Sequence, residues 1–200
     1  MTLWTIQPLE RYEQLLKTGS ICGEEPFIEP IFLDSYHWML QKMEKRIGKQ
    51  PFPDCYPVWA WYQYNGVHKK KLDLRHNCLL PKGTKGVCIE ISKNENEVLL
   101  SDFVLWHSAL NKFFIGNNEE DGLAFEVALD KLEEQGIDPY KFDELPRVFQ
   151  QKMIESWDKI FDLEFDDPYY SCPKAAKSIQ ATFWTLSIHE VVSVMEFVAR

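Results

Sequence analysis

The stretch LWTIQPLERYEQLLKTG (Leu3–Gly19) carries two periodicities in succession. LWTIQ alternates apolar and polar residues, the two-residue repeat of a strand, and runs into Pro8. Past it the repeat changes. Leu9, Tyr12 and Leu16 recur at helical spacing, Pro8 suits a first helical turn, and Gly19 stands where a helix is closed by a left-handed residue. A strand delivered directly into a helix, with further strand patterns following in runs, predicts an α+β fold with a mainly antiparallel central sheet and flanking helices.

Working outward, LDSYHWMLQKMEKRIG (Leu33–Gly48) reads as a helix with Asp34 at its N-cap and Tyr36, Leu40, Met43 and Ile47 on one face. YPVWAWYQYNG (Tyr56–Gly66) is a strand ending in an Asn-Gly turn. Val58 and Ala60 share one of its faces and Trp59 and Trp61 the other; the alternation leaves open which is buried. KKKLDL (Lys69–Leu74) offers a returning strand, and VCIEIS with VLLSDF, joined by KNENE, reads as a second hairpin. FVLWHSALN predicts a short helix with Leu105, Ala109 and Leu110 inward. Two longer helices are expected, one with Leu123, Val127 and Leu132 on its inner face, one with Phe149, Met153, Trp157 and Ile160. IQATFWTL predicts a strand, and SIHEVVSVMEFV a closing helix with a Ser187/Glu190 capping box. No repeat or linker breaks the chain, so residues 1–200 are expected to form one domain.

Charge excludes some functions. The net charge is -9, and residues 118–167 alone hold 16 acids against 5 bases, so this acidic helical segment is at -11 and the rest at about +2. An acidic total disfavours nonspecific nucleic-acid binding, which needs clustered cations. The one basic cluster is HKKKLDLRH (His68–His76). Five cysteines at spacings of 33, 23, 10 and 84 match no zinc pattern, and no metal site is expected. Reduced thiols, the lack of a leader-like start and the lack of a long apolar run predict a cytoplasmic protein that does not enter membranes.

No phosphate-cradling glycine loop, HExxH or GxSxG is present. The candidate site residues are therefore polar groups beside strands. Thr5 and Gln7 share a side of the first strand, Asp102 and His107 follow VLLS, and Gln180 and Thr182 share a face of the last strand. Asp102 is either a helix cap or a site residue. His107 is either exposed or part of a cleft rim with Asp102, Trp106, Asn111 and Gln180. A Gln within an apolar strand must find partners if it is buried.

LWTIQ, SYHWMLQKM, PVWAWY, LLSDFVLWHSALN and IQATFWTL together resemble a family of uncharacterised bacterial proteins, a domain of unknown function of about this length. The likeness spans nearly the whole chain and implies no established activity. In element order the chain also resembles the ADP-ribosyltransferase superfamily, whose small members begin with a strand and a helix ending in Gly. That resemblance implies an NAD-binding cleft with Thr5 and Gln7 at the nicotinamide end, Trp59 or Trp61 stacking, and Gln180 in the last-strand role. It departs from the superfamily in lacking the first-strand His or Arg and the catalytic Glu; a Gln cannot serve as a carboxylate base. Two competing expectations come from other classes. One is a PUA-like RNA-binding module that uses the basic arm with Lys69, Lys70 and Lys71 and stacks bases on Trp59 and Trp61. The other is a non-enzymatic interaction protein that docks a basic partner on its acidic helices.

Overall fold

A computed structural model describes residues 1–67, 71–75 and 79–200. The chain forms two compact units, Met1–Leu100 with Ser178–Arg200, and Ser101–Lys177.

The first unit begins as its opening residues dictate. β1 (Thr2–Pro8) passes directly into α1 (Leu9–Thr18), and Gly19 closes the helix at φ 81°, its amide bonded to the Leu15 carbonyl. β2 (Ser20–Ile21) and two short 3-10 turns (Glu25–Phe27 and Pro30–Phe32) lead to α2 (Leu33–Ile47). β3 (Val58–Gln63), β4 (Lys85–Ser92) and β5 (Leu99–Asp102) follow. After the second unit come β6 (Ile179–Phe183), β7 (Leu186–Ser187) and β8 (Val191–Val198). One sheet takes the order β5-β6-β3-β1-β4-β8, and β2 pairs with β7 in a separate ribbon. The β1–β3, β1–β4, β3–β6 and β4–β8 pairings are all antiparallel. The fold is α+β with a mainly antiparallel central sheet.

Register decides the question left open at β3. Val58 and Ala60 are 4% and 2% exposed and join Leu3, Val87, Ile89, Ile91, Ala181 and Phe183 in one core layer. Leu15 of α1, Ile21 of β2 and Leu186 of β7 cover that layer. Burying each valine, leucine, isoleucine or phenylalanine of this layer contributes about 1.5–3 kcal/mol. Trp59 and Trp61 lie on the opposite face and are half-buried.

Four local expectations are corrected. The closing helix is one 3-10 turn (Ile188–Glu190) followed by β8. The Ser187/Glu190 capping box does form there, but the valines beyond it, stiff at χ1, extend along β4 instead of coiling. VCIEIS and VLLSDF do not form a hairpin: β4 lies between β1 and β8, while β5 sits at the far edge beside β6, where Thr182 Oγ1 donates to the Leu99 carbonyl at 3.3 Å. Asp34 is not the cap of α2; Phe32 holds that position and Asp34 lies in the first turn, still favourable near the helix N-terminus. Lys71–Leu74 is not a strand, and Lys69 and Lys70 lie outside the described residues.

A buried cation helps close the first unit. Lys93 Nζ donates to the Thr185 carbonyl at 2.9 Å and to Glu190 Oε1 at 2.6 Å, and lies 5.1 Å above the Phe183 ring.

The second unit holds α3 (Phe103–Leu110), α4 (Glu119–Glu133) and α5 (Arg147–Ser156), with a 3-10 extension at Trp157–Phe161. The α5 face is as expected in Met153, Trp157 and Ile160, all buried. On α4 the inner face is rotated: Gly122, Phe125 and Leu132 are buried, whereas Leu123 and Val127 are about half exposed. Phe125 wins the core position by stacking on Phe114 at 4.1 Å, a contact with a residue outside the helix that its own periodicity cannot reveal. Leu105, Trp106 and Ala109 of α3 are buried and Leu110 is only partly so.

Candidate functional site

The central strands β1 and β3 meet at one register pair, Trp4 opposite Trp61. Beyond it the strands part, and a cavity of about 260 Å³ opens between Ile6–Pro8 on one side and Tyr56–Trp59 on the other. Arg11 of α1, Cys22–Glu24 and Phe27 of the connecting strap, and Tyr36 of α2 complete its walls. Its volume lies just below the roughly 300–1,000 Å³ of ordinary ligand pockets, so it suits a compact ligand or one end of a larger one.

A chain of hydrogen bonds spans the opening. Thr5, wholly buried, donates from Oγ1 to the Trp59 carbonyl at 2.8 Å, and accepts from Gln7 Nε2 at 2.8 Å. A side chain thus satisfies a strand carbonyl at the point where the two strands separate. Turning the Gln7 amide over would set its oxygen against Thr5, where it and the Trp59 carbonyl would compete for one proton. Leaving a buried acceptor without a donor costs about 1–3 kcal/mol.

The strap is moored at both ends. Arg11 pairs with Glu24 and donates to the Cys22 carbonyl and, at 2.6 Å, to Gln14 Oε1, with its guanidinium 5.5 Å from the Phe27 ring centre. The Gly23 amide and carbonyl exchange bonds of 2.9 and 3.0 Å with Tyr56. Tyr56 Oη donates to Glu25 Oε2 at 2.8 Å and stands 3.2 Å from His37 Nε2. The phenol has one proton and gives it to Glu25, so His37 is the donor in the second bond.

Burial, with Glu25 beside it, pushes the Tyr56 hydroxyl up from 10.0 to about 12. A pKa raised in the folded state contributes stability that is intact below pH 10 and is lost as pH climbs toward 12. Wild-type protein is therefore expected to lose stability across that window more steeply than Tyr56→Phe, as urea midpoints at pH 9, 10 and 11 would show; parallel curves would contradict it. Nearby, burial and the neighbouring Cys22 thiol push Cys55 up to about 12, and its Sγ donates to the Trp184 carbonyl at 3.5 Å. Such a thiol is a poor nucleophile at neutral pH.

Of the residues named from sequence, Gln7 and Trp59 line the cavity and Thr5 pins Gln7 from behind. Trp61 is not among the lining residues; it stands opposite Trp4 and Gln180 in a row on the Trp59 face of the sheet, edge-on to Tyr64 at 4.9 Å. Gln180 is half-buried there. Asp102 belongs to the second unit, where it caps α3 through Val104 N and Leu105 N at 2.9 and 3.3 Å. Its other oxygen takes Lys177 Nζ at 2.6 Å and Ser171 Oγ at 2.7 Å. His107 is exposed and holds the Phe103 carbonyl, and Asn111 closes the same helix on the His107 carbonyl. Arg11, Cys22, Tyr36 and Tyr56 also line the cavity, and no local sequence signal marks them for it. They come from separate elements and share no motif.

His68, Lys69, Lys70 and His76 of the basic arm lie outside the described residues; Arg75, within them, is paired with Asp73. Among the described residues, no cluster of three or more His, Cys, Asp or Glu is arranged to hold a metal ion, and no helix is long and apolar enough to cross a membrane.

No curated protein and no solved structure matches the chain. Residues 2–192 match the family described as Domain of unknown function (DUF3841), and the chain belongs to that family.

Proposed function

We propose that the protein binds a nucleotide or similar small molecule, ring end first, in the cleft between β1 and β3, in the manner of an ADP-ribosyltransferase-like fold. The observation that carries this reading is the parting of two central strands around a cavity whose lining includes Gln7, with its amide oriented by Thr5, together with Tyr36, Tyr56 and Trp59. Apolar walls with a few placed polar groups are the usual make-up of small-molecule sites. The residues fit the ring end of NAD better than its pyrophosphate, because the Arg11 guanidinium is already engaged by Glu24. Glu24 is the carboxylate in the wall, and it is committed to Arg11.

The test is a thermal-shift titration with NAD, with single-stranded RNA of mixed sequence as the paired control. NAD at about one hundred times its dissociation constant should add roughly 2.7 kcal/mol of stability. Gln7→Leu and Trp59→Ala should each remove most of that gain. No shift with NAD, and one with RNA that fades with salt, would replace this reading by binding through the basic arm.

A second reading has its own observation. Leu123 and Val127, four residues apart on α4, are exposed among Glu119, Glu120, Glu126 and Asp130, a surface suited to a basic amphipathic partner.

A further inference from the structure

We propose that Thr5 and Gln7 set the polarity of the cleft, so that it takes a neutral planar group bearing an N–H donor, with a ring carboxamide as the simplest case, and rejects the matching carboxylate. The inference rests on the reading of the cleft as a ligand site and names its ligand class. It follows from where the protons must be. The Trp59 carbonyl can only accept, so the single Thr5 hydroxyl proton goes to it. The Thr5 oxygen then meets Gln7 as an acceptor, and Gln7 must turn its nitrogen toward it. What Gln7 has left for an incoming group is its carbonyl oxygen and one N–H. Thr5 is wholly buried, with no second donor to exchange into this arrangement, so the orientation is held without a ligand.

The charge around the cavity points the same way. Arg11 is the cation among the lining residues, and its guanidinium is committed to Glu24, Gln14 and the Cys22 carbonyl. A carboxylate would enter against the Gln7 oxygen with no free positive charge to meet it, which is costly in a partly desolvated site. A carboxamide of the same shape places an N–H on that oxygen and its own oxygen on the remaining Gln7 N–H. Sites built around such a polar pairing discriminate more sharply than sites that only fit shape. Thr5 is a positioning residue here: it acts through Gln7.

The experiment is a ligand-observed NMR titration with two matched pairs, benzamide against benzoate and nicotinamide against nicotinate. It is run on wild type, Thr5→Val, Thr5→Ser and Gln7→Leu, each first shown to be folded by its melting transition. Wild type should bind the amides at least about tenfold more tightly than the acids. Thr5→Ser keeps the hydroxyl and should keep the ratio. Thr5→Val frees the Gln7 amide to turn, and Gln7→Leu removes it, so in both the ratio should fall toward one. A merely structural role for Thr5 would weaken amide and acid alike and leave the ratio unchanged, which would overturn the proposal. Equal binding of amide and acid by wild type would also overturn it while leaving the cleft as a ligand site. Binding of none of the four would overturn both.

Discussion

Lys177→Met is expected to destabilise the protein by about 3–5 kcal/mol, read as a fall in the urea midpoint. The Lys177 side chain is fully buried and Asp102 is 1% exposed, and their contact at 2.6 Å joins residues 75 apart in sequence. Lys177 also donates to the Phe165 carbonyl at 2.7 Å and bonds Ser171, so its ammonium is well satisfied. A buried ion pair is weak evidence of net stabilisation, because desolvating two charges offsets most of their attraction. Breaking one is a different matter. Removing the lysine leaves the Asp102 carboxylate buried with neutral donors alone. If the cost lies in that charge, Asp102→Asn combined with Lys177→Met should recover part of the loss, since an amide still reaches the α3 cap. A double variant less stable than Lys177→Met would assign the loss to packing instead. The pair ties the first residues of the second unit to its last, Ser101 and Lys177 being that unit's ends.

The second large effect is expected at Gly23. A Cβ there would lie 2.4 Å from the Pro57 carbonyl oxygen and 2.9 Å from the Tyr56 carbonyl carbon, and both obstacles are backbone. Gly23→Ala must therefore push the strap from the strand lead-in and stretch the two hydrogen bonds with Tyr56. Overpacking of this kind costs about 1–3 kcal/mol, and each weakened bond adds to it. Cys22, Gly23, Tyr56 and Pro57 all line the cavity, so the same change should abolish ligand binding. Denaturant unfolding and an NAD titration on one sample separate the two effects. A variant as stable as wild type and still able to bind would show that the strap yields without consequence.

The sequence displayed some of this architecture and hid the rest for identifiable reasons. β1, Pro8, α1 and Gly19 were legible because each signal is local: alternation, a fixed φ, a helical stripe, a left-handed cap. The Asp102 cap was legible for the same reason, but its partner was not. Lys177 sits in the polar run CPKAAKS, and nothing nearby in the chain shows that it is buried. Adjacent strands usually pair, so the sequence order of β4 and β5 suggests a hairpin, whereas the true neighbour of β5 is β6, about eighty residues downstream. The apolar residues of β8 satisfy both periods, and the β-branched valines and the waiting edge of β4 decide for a strand. At the cleft, Thr5, Gln7 and Trp59 were named from the strands that bear them. Arg11, Cys22, Tyr36 and Tyr56 reach the cavity only because α1, the strap, α2 and the lead-in to β3 converge there.

If the space between β1 and β3 is a ligand site, hydrogen–deuterium exchange with and without saturating NAD will register it in the backbone there. Exchange is expected to slow only in residues 6–8, 22–24 and 56–59, which line the cavity. Protection elsewhere, or none at a concentration that raises the melting temperature, would contradict it.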